Sequence, residues 1–139
     1  ANGIHTHKSS IRDLEDIVKL AHKYGLCIDA YIGLPAQTPE EVERVAKQME
    51  SVGTDMIGMM TGMSYEGVEA GQIPTVLKER LCAMVGAVKV PTLGEGGINL
   101  TNYRAFKETG VNILVIGTSI DKMVEQAAKD AIGDFLNQY

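Results

Sequence analysis

The stretch that decides the fold is Val88–Ser119, VKVPTLGEGGINLTNYRAFKETGVNILVIGTS. An apolar run ends in Gly94-Glu95-Gly96-Gly97, a short helical pattern carries Tyr103 and Phe106 to Gly110, and a second apolar run, Val111–Ile116, ends in Gly117-Thr118-Ser119. Apolar runs of this length separated by helical spacing read as buried strands joined by crossover helices. Such strands are parallel neighbours with right-handed connections. Val111–Ile116, broken only by Asn112, is the clearest buried strand of the chain, and Val88–Leu93 is its neighbour.

The same alternation extends to both ends. Upstream, Ile4–His7 reads as a strand. Ser9 and Ser10 can cap a helix with Ile11, Leu14, Ile17, Val18 and Ala21 on one face, ending at Gly25. Leu26–Ile32 is the next strand, with Asp29 inside it. Thr38-Pro39-Glu40-Glu41 is a strong helix start: Thr38 caps, Pro39 suits the first helical position and Glu41 completes a capping box. Val42, Val45, Ala46 and Met49 give that helix its apolar stripe. Gly53-Thr54-Asp55 turns into a strand at Met56–Met60, and a glycine-containing loop runs from Thr61 to Pro74. Val76, Leu77, Leu81, Met84 and Val85 mark a third helix. Asn99 can cap the short helix of Tyr103 and Phe106, and a last helix runs through Met123, Val124, Ala127, Ala131 and Leu136.

Five βα units in one α/β domain of 139 residues fall short of the roughly 200 to 250 residues of a complete eight-unit barrel. The expectation is a partial TIM barrel. The alternative is a five-stranded doubly wound sheet of the flavodoxin or response-regulator kind. The sequence disfavours that alternative: a response regulator needs paired acids after its first strand, where this chain has histidines, and Thr6–Ser10 is a weak match to a flavin phosphate loop.

Composition narrows the function. With 45% hydrophobic and 22% charged residues the chain is ordinary globular, and a net charge of −5 with no basic run argues against nucleic acid as a partner. Apolar runs are far shorter than the roughly 20 residues of a membrane span, so no membrane partner is expected and the reading is cytoplasmic. Cys27 and Cys82 lack metal or redox spacing and read as buried free thiols.

Function in a parallel α/β fold collects at the carboxyl ends of the strands. Those ends hold His5 and His7, Asp29 and Tyr31, Met60 to Ser64, Glu95 to Gly97, and Gly117 to Ser119. Gly96-Gly97 and Gly117-Thr118-Ser119 each open onto a helix. Glycine permits close backbone approach and positive φ, and helix-start N–H groups attract phosphate, so these residues are candidates to bind one. Asp29, a carboxylate in an apolar strand, and Glu95, just before the glycine pair, are the catalytic candidates. His5 and His7 point to one side of a strand and can contact substrate; a third metal ligand is not evident nearby. Thr61 joins the candidate substrate-binding set. Met56, Met59, Met60 and Met63 read as adaptable packing.

These residues carry a family likeness. Cys27-Ile28-Asp29-Ala30, Gly53-Thr54-Asp55-Met56-Ile57 leading into Met60-Thr61-Gly62, Glu95-Gly96-Gly97-Ile98 and Val115-Ile116-Gly117-Thr118-Ser119-Ile120 follow one another as in hexulose-phosphate synthases and keto-gulonate-phosphate decarboxylases. The chain resembles the second part of these barrels of the orotidine monophosphate decarboxylase superfamily. Gly94-Glu95-Gly96 and Ile116–Ile120 also look like N-acylmannosamine-phosphate epimerases. The resemblance implies an aldolase or lyase acting on a phosphorylated sugar, with Gly96, Gly97, Gly117 and Thr118 on the phosphate and Asp29 facing substrate.

The chain departs from the family in places. Met60 stands where the family has its active-site histidine, and the matching aspartate falls near Ser64. The family's metal-binding acids and its Asp-x-Lys-x-x-Asp strand belong to the first three units, whereas this chain reads as units four to eight. No cofactor is therefore expected in this chain, and a divalent metal such as magnesium only in a complete enzyme. The open edges of a partial barrel lead us to expect a homodimer or completion by an N-terminal partner segment. A catalytically silent sugar-phosphate-binding subunit is the alternative to an enzyme.

Overall fold

A computed structural model describes residues 2–7, 10–33, 38–62 and 72–138. Strands β1 (Gly3–His7), β2 (Cys27–Ile32), β3 (Met56–Met60), β4 (Thr92–Glu95) and β5 (Ile113–Val115) alternate with helices α1 (Ile11–Lys23), α2 (Pro39–Ser51), α3 (Thr75–Ala87), α4 (Tyr103–Lys107) and α5 (Thr118–Leu136). All neighbouring strands are parallel, and the sheet runs in the order β1-β2-β3-β4-β5. A doubly wound sheet reverses direction part-way through its order; this one never does, which makes it a partial barrel.

Local chemistry starts the first two helices where the sequence predicts. Ser10 caps α1 by accepting from the Asp13 N–H at 3.1 Å; Ser9 lies outside the described residues. The capping box of α2 forms reciprocally: the Glu41 N–H donates to Thr38 Oγ1 and the Thr38 N–H to Glu41 Oε2, each at 3.2 Å. The apolar stripes of α1, α2 and α3 pack on the outer face of the sheet. Leu14, Val18, Val42, Met49, Leu81 and Met84 are buried there against Ile28, Ala30, Ile32, Ile57 and Met59.

Beneath the sheet, Asp55 Oδ2 accepts from the Ile28 N–H at 2.8 Å and sits 2.9 Å from His22 Nε2, tying α1 to β2 and the start of β3. Burial pushes the Asp55 carboxyl up. The hydrogen bonds from His22 and Ile28 and the His22 charge outweigh it, and hold the group below the ordinary carboxylate value.

Both final strands differ from the expectation. β4 begins at Thr92, not Val88, because the Lys89 and Val90 N–H groups donate to Glu50 Oε1, at 2.6 and 3.1 Å, and not to a neighbouring strand. β5 is three residues long. Asn112 Oδ1 takes the Thr92 N–H and hydroxyl at 2.8 and 3.0 Å, which clamps the chain ahead of the ladder. Nor is this strand buried: Ile113 and Ile116 are 38% and 40% exposed, since β5 is an edge and α5 has no buried residue. An apolar run reports that a strand can be buried, but the covering layer must be present. Cys27 and Cys82 are likewise exposed free thiols and not buried ones, one on the uncovered face of β2 and one on the outside of α3.

Candidate functional site

Strand alternation divides the sheet into a helix-covered face and an inner, concave-side face. The register puts His5, Asp29, Met56, Leu93 and Ile113 on the inner face, followed nearer the carboxyl ends by His7, Tyr31, Gly58, Met60, Glu95 and Val115. Four of the candidate residues, His5, His7, Asp29 and Glu95, thus share one surface with Tyr31.

His5 pairs directly across from Asp29, and its Nδ1 lies 3.2 Å from Asp29 Oδ2. The His5 side chain is 47% exposed and that of Asp29 18%, so the imidazole is the member that meets solvent. The His5 ring stands edge-on to His7 and to Tyr31, with centroids 5.2 and 4.5 Å apart. His5 and His7 therefore do point to one side, as the strand period requires. Among the described residues no three His, Cys, Asp or Glu side chains come together to hold a metal ion.

Tyr31 joins β2 to β4. Its ring is fully buried and lies across Gly58 of the intervening β3, where a β-carbon would come within 2.5 Å of Tyr31 Cζ. Its hydroxyl reaches Glu95. Burial pushes the Tyr31 phenol far above its ordinary value, and the hydrogen bond to Glu95 and the nearby carboxylates of Glu95 and Asp29 push the same way. Tyr31 is thus held as a neutral donor. Sequence reading placed Tyr31 at a strand end without a role; the signal was a tyrosine in register with a glycine, visible only once the pairing is known.

The two glycine turns follow neighbouring strands. Gly96 and Gly97 have φ of 102° and 65°, the left-handed region that glycine accepts without strain. The Thr61 hydroxyl donates to the Gly96 carbonyl at 2.7 Å, and the Thr61 N–H to the Glu95 carbonyl at 2.8 Å. A β-carbon at Gly96 would sit 2.9 Å from Thr61 Oγ1. On the other side of the turn, Asn102 Nδ2 donates to the Gly97 carbonyl at 2.9 Å, while Asn99 Oδ1 accepts from the Thr101 and Asn102 N–H groups. Asn99 thus closes the turn ahead of α4 and does not cap the helix as expected: α4 starts only at Tyr103, and its N-cap, Asn102, makes no side-chain cap hydrogen bond. Gly117 precedes α5, with Thr118 exposed and Ser119 half-buried in its first turn. Of the methionines, Met59 is buried in the helix-covered core and Met56 and Met60 are half-buried on the inner face, while Met63 and Ser64 lie outside the described residues.

No family model matches the chain. It is 31% identical over 112 residues to a thiamine-phosphate synthase of Clostridium acetobutylicum, covering 81% of this chain and 47% of that protein. It is 27% identical over 112 residues to the thiamine-phosphate synthase of Ruminiclostridium cellulolyticum, covering 79% of this chain and 50% of that one. Among solved structures it superimposes on the thiamine phosphate pyrophosphorylase of Pyrococcus furiosus with a TM-score of 0.58 at 25% identity, over 84% of this chain and 49% of that one. The chain spans about half the length of these relatives.

These likenesses overturn the expected kinship with hexulose-phosphate synthases and keto-gulonate-phosphate decarboxylases, and with it the sugar-phosphate aldolase or lyase reading. The reason lies in which residues carried the resemblance. Glycine turns after late barrel strands serve a phosphate in many barrels. The residues that separate one such family from another did not carry it: Met60 stands where that family has a histidine, and the family's distinguishing acids belong to its earlier units.

Proposed function

We propose that this chain is the phosphate-gripping half of a thiamine-phosphate-synthase-like barrel, equivalent to its fourth to eighth βα units, and that it binds a phosphomonoester such as thiamine phosphate. Gly96, Gly97, Gly117, Thr118 and Ser119 hold the phosphate; His5, His7, Asp29 and Glu95 line the inner face beside it; Thr61 braces the first turn. The observation that carries this reading is the pair of glycine turns at the carboxyl ends of adjacent parallel strands, one with two consecutive left-handed glycines and one opening onto a long helix. The similarity to two thiamine-phosphate synthases supports the choice of ligand. Two exposed free thiols fit a reducing, cytoplasmic setting.

Thermal unfolding with millimolar thiamine phosphate, beside thiamine without the phosphate, tests this. Thiamine phosphate should raise the melting temperature and thiamine should not. Thr118→Glu, which sets an anion at the exposed start of α5, should abolish the shift while leaving the unliganded melting temperature in place. Equal shifts with both compounds, or none with either, would overturn the reading.

A further inference from the structure

The phosphate-site reading leaves open what else on the ligand is recognised, and the inner face supplies a built device for it. Glu95 is the last residue of β4, points to the inner face in register with Met60 and Val115, and is followed at once by the left-handed Gly96. Its carboxylate is the ionisable group nearest in sequence to the first glycine turn. Left alone, a glutamate at a strand end samples many rotamers. Here it is held from two strands away. Adjacent strands lie about 4.8 Å apart, so a β2 side chain reaches β4 only by passing over β3, and Gly58 leaves that path clear for the Tyr31 ring. Because Tyr31 is fully buried while Glu95 is half-buried, the phenol does not itself meet a ligand. A carboxylate offers about four acceptor positions, of which the phenol uses one.

We infer that Tyr31 is a positioning residue that fixes the Glu95 carboxylate beside the glycine turn, and that Glu95 selects phosphomonoesters carrying a hydrogen-bond donor, an ammonium or hydroxyl group, close to the phosphate. A ligand anchored at Gly96, Gly97 and the start of α5 has its neighbouring atoms over Glu95. An ammonium there gains a charge-assisted hydrogen bond, whereas a second anionic group meets like charge. This inference rests on the proposed phosphate site and adds to it a specificity residue and the residue that orients it.

Calorimetric binding of inorganic phosphate, O-phosphoethanolamine, glycerol phosphate and phosphoglycolate to the full chain tests it. The parent chain should prefer phosphoethanolamine and then glycerol phosphate to inorganic phosphate, and bind phosphoglycolate weakest. Glu95→Gln should erase the ammonium preference and admit phosphoglycolate, while inorganic phosphate binds at least as tightly as to the parent because the like charge beside it is gone. Tyr31→Phe keeps the ring over Gly58 and removes only the hydroxyl; it should lower the phosphoethanolamine preference about fivefold at unchanged phosphate affinity. Glu95→Asp, which keeps the charge but shortens the reach to the phenol, should do the same even if Tyr31→Phe folds poorly. A parent chain that binds phosphate without discriminating among the esters, or an Glu95→Gln variant with the parent's preferences, overturns the inference and leaves the phosphate site standing. Tyr31→Phe and Glu95→Asp variants that both keep the parent's preferences overturn the positioning role. A parent chain that binds none of the four overturns the phosphate site and the inference with it.

Discussion

The ring of Tyr31 occupies the space that a side chain at position 58 would fill: a β-carbon on Gly58 would stand 2.5 Å from Tyr31 Cζ and 2.6 and 2.7 Å from its ring neighbours. Real β-carbons do not approach that closely, and these atoms belong to a fully buried ring without room to swing aside. Gly58→Ala should therefore destabilise the chain by about 1–3 kcal/mol, read from urea denaturation, and should loosen Glu95 from the phenol. An alanine variant as stable as the parent would mean that the ring does not cross β3.

The same burial predicts an alkaline signature. The chain has five tyrosines, and the phenol of Tyr31 is pushed up by burial and by its carboxylate neighbours. A spectrophotometric titration should leave one tyrosine protonated through the ordinary phenol range, released only on unfolding. The sign follows from proton uptake: above the unfolded value of about 10 the unfolded chain has lost a proton that the folded chain keeps, so stability is intact below that pH and falls as pH rises past it. Tyr31→Phe should remove this component of the alkaline loss.

Acid acts through the opposite end of the sheet. The Asp55 carboxyl is held below its ordinary value, so its stabilisation is present above the unfolded value of about 3.9 and is lost as pH falls through the lower, folded one. Asp55 and His22 are each more than a third exposed as side chains, which limits the ionic part to under about 1 kcal/mol. Asp55→Ala should flatten the acid limb of a stability profile below about pH 4, and should also cost stability at neutral pH because the Ile28 N–H loses its acceptor. An unchanged acid limb would remove Asp55 from the account.

Among the described residues, β1 and β5 each keep one unpaired edge, and α5 turns Ile120, Met123, Val124, Ile132, Phe135 and Leu136 to solvent, with Phe135 62% exposed. An apolar surface of this extent favours association, and the expected occupant is a second copy of the chain. Light scattering should give a mass near twice 15.0 kDa, and Val124→Glu together with Phe135→Glu should return it to the monomer. A monomeric parent chain at micromolar concentration would contradict this.

The βα alternation was legible without coordinates because its signals are local. Thr38 and Glu41 form the predicted capping box, Ser10 caps α1, and the apolar stripes of α1 and α2 face the sheet. The boundaries of β4 and β5 were not, because they depend on side chains that arrive from elsewhere: Glu50 takes the N–H groups ahead of β4, and Asn112 clamps Thr92 ahead of β5. The candidate site was legible in part. Glycines and acids at strand ends can be named from order alone, and His5 does meet Asp29. The glycine-turn pattern, though, misdirected the choice among families, since many phosphate-binding barrels share it and it does not specify the reaction.

The sequence by itself determined five βα units, the parallel sense of their strands and the rim on which polar residues collect, because caps, glycines and hydrophobic periods act over a few residues. Only the tertiary structure decided which distant residues meet. Register set Tyr31 beside Gly58, so that a missing side chain on one strand lets a phenol on the next hold a carboxylate on the third. Whether another layer covers a strand is likewise something no strand pattern encodes: among the described residues β5 and α5 hold no buried side chain.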